Sequence, residues 1–81
     1  MSTVKEAVAE RVRQLCQERQ IKPNALANMA GITPSSLYSL LDSKRSNVSI
    51  ILIKELCDGL DITLGEFFSC EIFDNLEQEI K

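Results

Sequence analysis

Residues 21–41, IKPNALANMAGITPSSLYSLL, constrain the fold of this chain more than any other stretch. Pro23 and Pro34 each suit the first position of a helix, where a missing backbone N–H loses no partner. Gly31 between them tolerates the left-handed backbone that ends one helix and turns the chain toward the next. Thr33 is a good N-cap for the second of these helices, whereas Lys22 is a poor one for the first. The spacing predicts helices over 23–30 and 34–41 joined by one tight turn. Leu26, Ala30, Ile32, Leu37 and Leu40 fall where two steeply crossed helices need apolar contact, and Ala27 is small where they come closest.

The flanking sequence is helical by the same reasoning. Thr3 and Glu6 stand in capping-box spacing, and Val4, Val8, Val12 and Leu15 follow at intervals of three and four, predicting a helix over 3–19. The polar segment DSKRSNV, residues 42–48, reads as a turn. Ser49 caps a helix over 50–59 whose inward face is expected to be Ile50, Ile53, Leu56, Cys57 and Leu60, with Gly59 and Asp61 ending it. Thr63 and Glu66 repeat the capping-box spacing before a short helix over 64–69. The expected architecture is all-α: a compact five-helix domain over 1–70 with an acidic tail over 71–81. In that tail Ile72, Phe73, Leu76 and Ile80 form a helical stripe, either a cover over the domain's own core or a dimer contact.

Composition narrows the function. With 44% hydrophobic and 26% charged residues the chain is of the globular, soluble type. No apolar run approaches the ~20 residues of a membrane span. The opening MSTVKEAVAE lacks the apolar core of a signal peptide, so a cytoplasmic location is expected. Cys16, Cys57 and Cys70 are odd in number and lack paired metal-ligand spacing, and there is no histidine. Neither a metal site nor a cofactor is expected, and no nucleophile has an evident base, which argues against an enzyme. The net charge of −3 comes from Glu71, Asp74, Glu77 and Glu79 against Lys81, because residues 1–70 balance. Local charge therefore leaves a polyanionic partner open. Tyr38 is the only Tyr or Trp, too little aromatic surface for a single-strand platform.

The 21–41 segment has the outline of a helix-turn-helix, whose usual use is to set its second helix against nucleic acid. Together with the RVRQLCQER opening, the LANMAGIT core and the GLDITLGEFF ending, it resembles the Cro-like, lambda-repressor-like (XRE) family over about residues 6–69. It looks most like the short stand-alone regulators of low-GC Gram-positive bacteria. The resemblance implies a lambda-repressor-like domain, a third helix in the major groove of double-stranded DNA, and a homodimeric transcriptional regulator, expected to be a repressor.

Carried over by position, the resemblance implies base contacts from Pro34, Ser35, Tyr38 and Ser39. The serine hydroxyls donate or accept, and the Tyr38 ring suits a sugar or a thymine methyl. No Arg, Gln or Asn stands on this face, so base readout is expected to be modest or to lean on DNA shape. Phosphate contacts are expected from Ser36, from Lys44, Arg45 and Asn47 in the following loop, and from Lys22 and Asn24 at the start of the second helix.

Three departures from the family pattern stand out. Pro23 replaces a Gln that anchors a phosphate in many members. Cys16 and Leu41 stand where phage relatives bury an Arg–Glu pair, an apolar substitution that avoids the desolvation of buried charge. The run Ile50-Ile51-Leu52-Ile53 cannot bury every side chain on one helix face, so Val48, Ile51 and Leu52 are expected to contribute to a homodimer contact. The neutral core, acidic tail and Arg-free face also suit a second function: a protein-interaction module on the same scaffold, such as an antitoxin-like or regulator-binding partner.

Overall fold

The protein was analysed as a computed structural model, which describes residues 3–42, 47–76, 78 and 80. Among the described residues six helices follow in order: α1 (Val4–Arg19), α2 (Pro23–Ala30), α3 (Pro34–Leu41), α4 (Ile50–Leu60), α5 (Leu64–Phe68) and α6 (Glu71–Asp74). No strand occurs among the described residues.

The helix starts follow from their caps. Thr3 and Glu6 form a reciprocal capping box on α1, as Thr63 and Glu66 do on α5. The Thr3 backbone N–H, then its hydroxyl, hold the Glu6 carboxyl below its ordinary range. Thr33 and Ser49 cap α3 and α4 through their hydroxyls, while Lys22 places no side chain on the start of α2.

Three of the helix ends share one device. Gln20, Gly31 and Asp61 each take a left-handed conformation, at φ 56, 71 and 59°. The residue after each is an isoleucine, and the N–H groups of Ile21, Ile32 and Ile62 donate back to Cys16, Ala27 and Cys57 carbonyls, all at 3.0 Å. This is the Schellman arrangement, in which the residue past the turn also packs inward. All three isoleucines are partly buried against the core. Only Gly31 adopts this conformation without a steric cost; Gln20 and Asp61 accept about 1–2 kcal/mol each to close their helices.

The expectation that Gly59 helps to end α4 is corrected: it lies inside the helix, and Asp61 makes the turn. Gly59 is required for a different reason. A Cβ there would come within 2.9–3.0 Å of the Met29–Ala30 backbone, so α4 crosses the end of α2 with no room for a side chain.

The core joins Val8, Val12, Leu15 and Cys16 of α1 to Leu26 and Ala27 of α2 and to Leu37 and Leu40 of α3. Ile53, Leu56, Cys57 and Leu60 of α4 and Phe67 of α5 complete it. Each fully buried Leu or Phe is worth about 1.5–3 kcal/mol relative to exposure. A second correction concerns Ile50, expected on the inward face but 55% exposed; Ile51 beside it is 66% exposed. Leu52 and Val48 pack partly against the core instead.

The tail contributes one turn, α6, packed on α1. Phe73 joins Phe67 and Phe68, with ring centroids 5.9 and 4.8 Å away, and Phe67 and Phe68 meet edge to face at 4.9 Å. The helix stops at Asp74, so Ile80 is not carried onto the stripe and is exposed.

Candidate nucleic-acid interface

Helix α3 is held at both ends and along its inner side. At its start the Thr33 hydroxyl accepts the Ser36 backbone N–H at 3.2 Å, and the Thr33 and Ser36 hydroxyl oxygens lie 3.0 Å apart. Along its inner side Leu37 and Leu40 are buried. Three-residue and four-residue steps then leave Pro34, Ser35, Ser36 and Tyr38 exposed, with Ser39 half-buried at the margin. The four residues expected at base edges therefore lie on one short helix, but Ser39 is less accessible than the others.

Among the expected phosphate contacts, Lys22, Asn24, Ser36 and Asn47 are exposed. Lys44 and Arg45 lie outside the described residues. One pair of candidates comes together across the turn: the Tyr38 hydroxyl donates to Asn24 Oδ1 at 3.1 Å, joining the outer side of α3 to the first turn of α2. Of the residues expected at a dimer contact, Ile51 is exposed, while Val48 and Leu52 are half-buried.

The far end of α3 is closed by residues the sequence reading did not single out. Arg13 Nη2 donates to the Leu41 carbonyl at 3.0 Å, and Lys5 Nζ donates to the Asp42 carbonyl. Both are cations set on the electronegative end of a helix, where they complement the helix dipole as well as the orphan carbonyls. Lys5 is 4% exposed, and this bond is what permits its ammonium to be buried. Arg11 treats α5 in the same way, with Nε and Nη2 donating to the Phe67 and Glu66 carbonyls at 2.8 and 3.0 Å. The available signal was positional: Lys5, Arg11 and Arg13 flank the Val8–Val12 stripe on the helix that packs against α3.

These engagements set the electrostatics of the surface. Lys54 is paired with Asp58 one turn along α4. Arg19 and Lys22 are exposed. The thiols of Cys16 and Cys57 are pushed up by burial, so both are neutral core groups at pH 7. No cluster of three His, Cys, Asp or Glu side chains capable of holding a metal occurs among the described residues. No described helix is long and apolar enough to cross a membrane.

No curated protein matches this chain. In fold it is similar to the crystal structure of the prophage Lp1 protein 11, with a TM-score of 0.83 over 94% of this chain and 100% of that one, at 24% identity. The model of the Cro/C1-type HTH DNA-binding domain matches residues 11–72, which include all of α2 to α5 and two of the three clustered phenylalanines, Phe67 and Phe68. The all-helical, lambda-repressor-like architecture and the motif at Gly31 agree with that match, and the chain belongs to the Cro/C1-type helix-turn-helix DNA-binding family.

Proposed function

We propose that this DNA-binding regulator is a cytoplasmic repressor that binds double-stranded DNA as a homodimer, with α3 in the major groove. The observation that carries the reading is the division of α3: Leu37 and Leu40 are buried, while Pro34, Ser35 and Tyr38 are presented outward on a helix fastened at both ends. A rigid helix with a small polar outer face suits entry into a groove about 12 Å wide. Ser35 and Ser39 take base-edge hydrogen bonds, Pro34 packs at the groove wall, and the Tyr38 ring meets a sugar or a thymine methyl. Lys22, Asn24, Ser36 and Asn47, with Lys44 and Arg45 from the sequence that follows α3, hold the phosphates on either side.

The homodimer draws support from the exposed pair Ile50 and Ile51 at the start of α4, continuous with the half-buried Val48 and Leu52. Two copies related by a two-fold axis would address half-sites about 34–36 Å apart.

Selection of bound duplexes from a random-sequence pool by the purified protein tests the reading. An enriched, pseudo-palindromic site supports it. Failure to enrich any duplex at low salt overturns it in favour of a protein-interaction module, the second reading. That alternative is favoured by one observation: Lys5, Arg11, Arg13 and Lys54 are all engaged within the domain rather than presented to a polyanion.

A further inference from the structure

We infer that the Tyr38 hydroxyl is a positioning group for a phosphate-binding amide on Asn24 and takes no part in reading bases. The inference rests on the DNA reading proposed above and assigns a role to one atom within it. Tyr38 is 51% exposed, yet its hydroxyl is committed across the turn, donating to Asn24 Oδ1 at 3.1 Å. A phenol has a single O–H, so that donor is spent inside the protein. The consequence falls on Asn24. A carboxamide carries its acceptor and its donors on opposite arms of one planar group, so fixing Oδ1 against Tyr38 fixes Nδ2 and its two N–H donors on the other arm.

An exposed arm that offers only donors, carried on the first turn of α2 rather than on the helix set in the groove, is matched to the acceptor oxygens of the DNA backbone that this turn faces in that reading. Without the phenol the amide can rotate and present either end. The hydroxyl thus tethers the amide in advance and removes part of its ordering cost from binding. Because Asn24 is uncharged, its contact adds affinity without releasing a counterion. The Tyr38 ring keeps its own face for a sugar or methyl contact, and the hydroxyl and ring serve separate ends.

Tyr38→Phe, Asn24→Ala and the double variant separate these roles, with the enriched duplex and a library of its single-base-pair changes as probes. Tyr38→Phe is expected to weaken every duplex alike, by about three- to tenfold for one hydrogen bond. The order of preference across the library and the slope of log K against log salt are expected to stay those of the unmodified protein. The double variant is expected to bind no more weakly than Asn24→Ala alone, because the hydroxyl acts through the amide. Tyr38 and Asn24 are exposed, so the thermal midpoints of all three variants should match the parent, and circular dichroism checks this before binding is read.

A changed preference at one base pair in Tyr38→Phe overturns the inference, and so do additive losses in the double variant. Both results leave the DNA reading standing. If the unmodified protein binds no duplex, the DNA reading and this inference fall together.

Discussion

A Cβ built on Gly59 would stand 2.9 Å from the Ala30 backbone nitrogen and 3.0 Å from its Cα. The end of the first motif helix and the last turn of α4 are therefore in direct backbone contact. Gly59→Ala would gain about 1 kcal/mol in helix propensity. It would also force two backbones apart, and overpacking of this kind costs about 1–3 kcal/mol. We expect a net loss near 1 kcal/mol, read as a fall of about 4–8 °C in the thermal midpoint. An unchanged or higher midpoint would show that α2 and α4 give way easily.

Lys5 closes the end of α3 from a buried position. Lys5→Met keeps most of the aliphatic stem but removes the charge-assisted hydrogen bond to the Asp42 carbonyl, at a cost of about 1.5–3 kcal/mol. Arg13→Ala removes a more exposed bond and should cost less. Urea unfolding of the two variants checks the order. A Lys5→Met midpoint equal to that of the parent would contradict the assignment of this lysine to the helix end.

Ile50 and Ile51 are the exposed pair at the start of α4, whereas Leu52 is partly packed inside its own domain. Replacing both isoleucines by lysine should leave the fold intact and halve the sedimenting mass of a homodimer. Leu52→Lys is a poorer probe, because it would disturb the core as well. If the double lysine variant keeps the parent's mass in solution, this face is not the dimer contact.

Duplex affinity should fall steeply with salt, as counterions are released from the phosphates. Lys22→Ala, Lys44→Ala and Arg45→Ala should each weaken all sequences alike and lower the slope of log K against log salt by about 0.9. Ser35→Ala should instead alter preference at one base pair and leave the slope alone. Filter-binding or anisotropy titrations across a salt series read both quantities; a slope untouched by all three cation variants would remove these contacts.

Burial raises the thiol values of Cys16 and Cys57 above the ordinary 9.0. A group whose value is raised by folding stabilises the fold fully below its unfolded value, and that contribution is lost as pH climbs through the folded value. Stability should thus decline above about pH 9, where unfolding releases protons from these two thiols. At neutral pH iodoacetamide should modify the half-buried Cys70 in the native protein, and Cys16 and Cys57 only once urea has opened the core. Mass spectrometry of the alkylated peptides gives the order. Modification of Cys57 ahead of Cys70 would contradict the packing.

The features legible in the sequence were those written as local patterns. Thr3–Glu6, Thr33–Pro34, Ser49 and Thr63–Glu66 mark helix starts because capping acts over three residues, and Gly31 marks a turn because glycine meets no steric barrier there. The left-handed end at Gln20 carries no such mark, and at Asp61 the sequence signals a stop but not its conformation: tertiary packing of Ile21 and Ile62 compensates for strain that local preference would avoid. Gly59 was misread for the same reason, since a glycine near a helix end looks like a stop until the neighbouring helix is known. Ile50 was assigned inward from periodicity, but the first turn of α4 overhangs the core.

The candidate site divides similarly. Which residues share the outer side of α3 follows from spacing, whereas the Tyr38–Asn24 bond and the inward-turned cations of α1 depend on how the helices cross.

Lys5, Arg11 and Arg13 spend their charge on the blunt ends of α3 and α5. Side chains held this way cannot also reach out to grip a phosphate directly. The domain should dwell only briefly on arbitrary duplex and rely on fit to remain at a matching site. Against an excess of competing sequence, fewer copies would be detained elsewhere, and a small number of molecules could keep such a site filled.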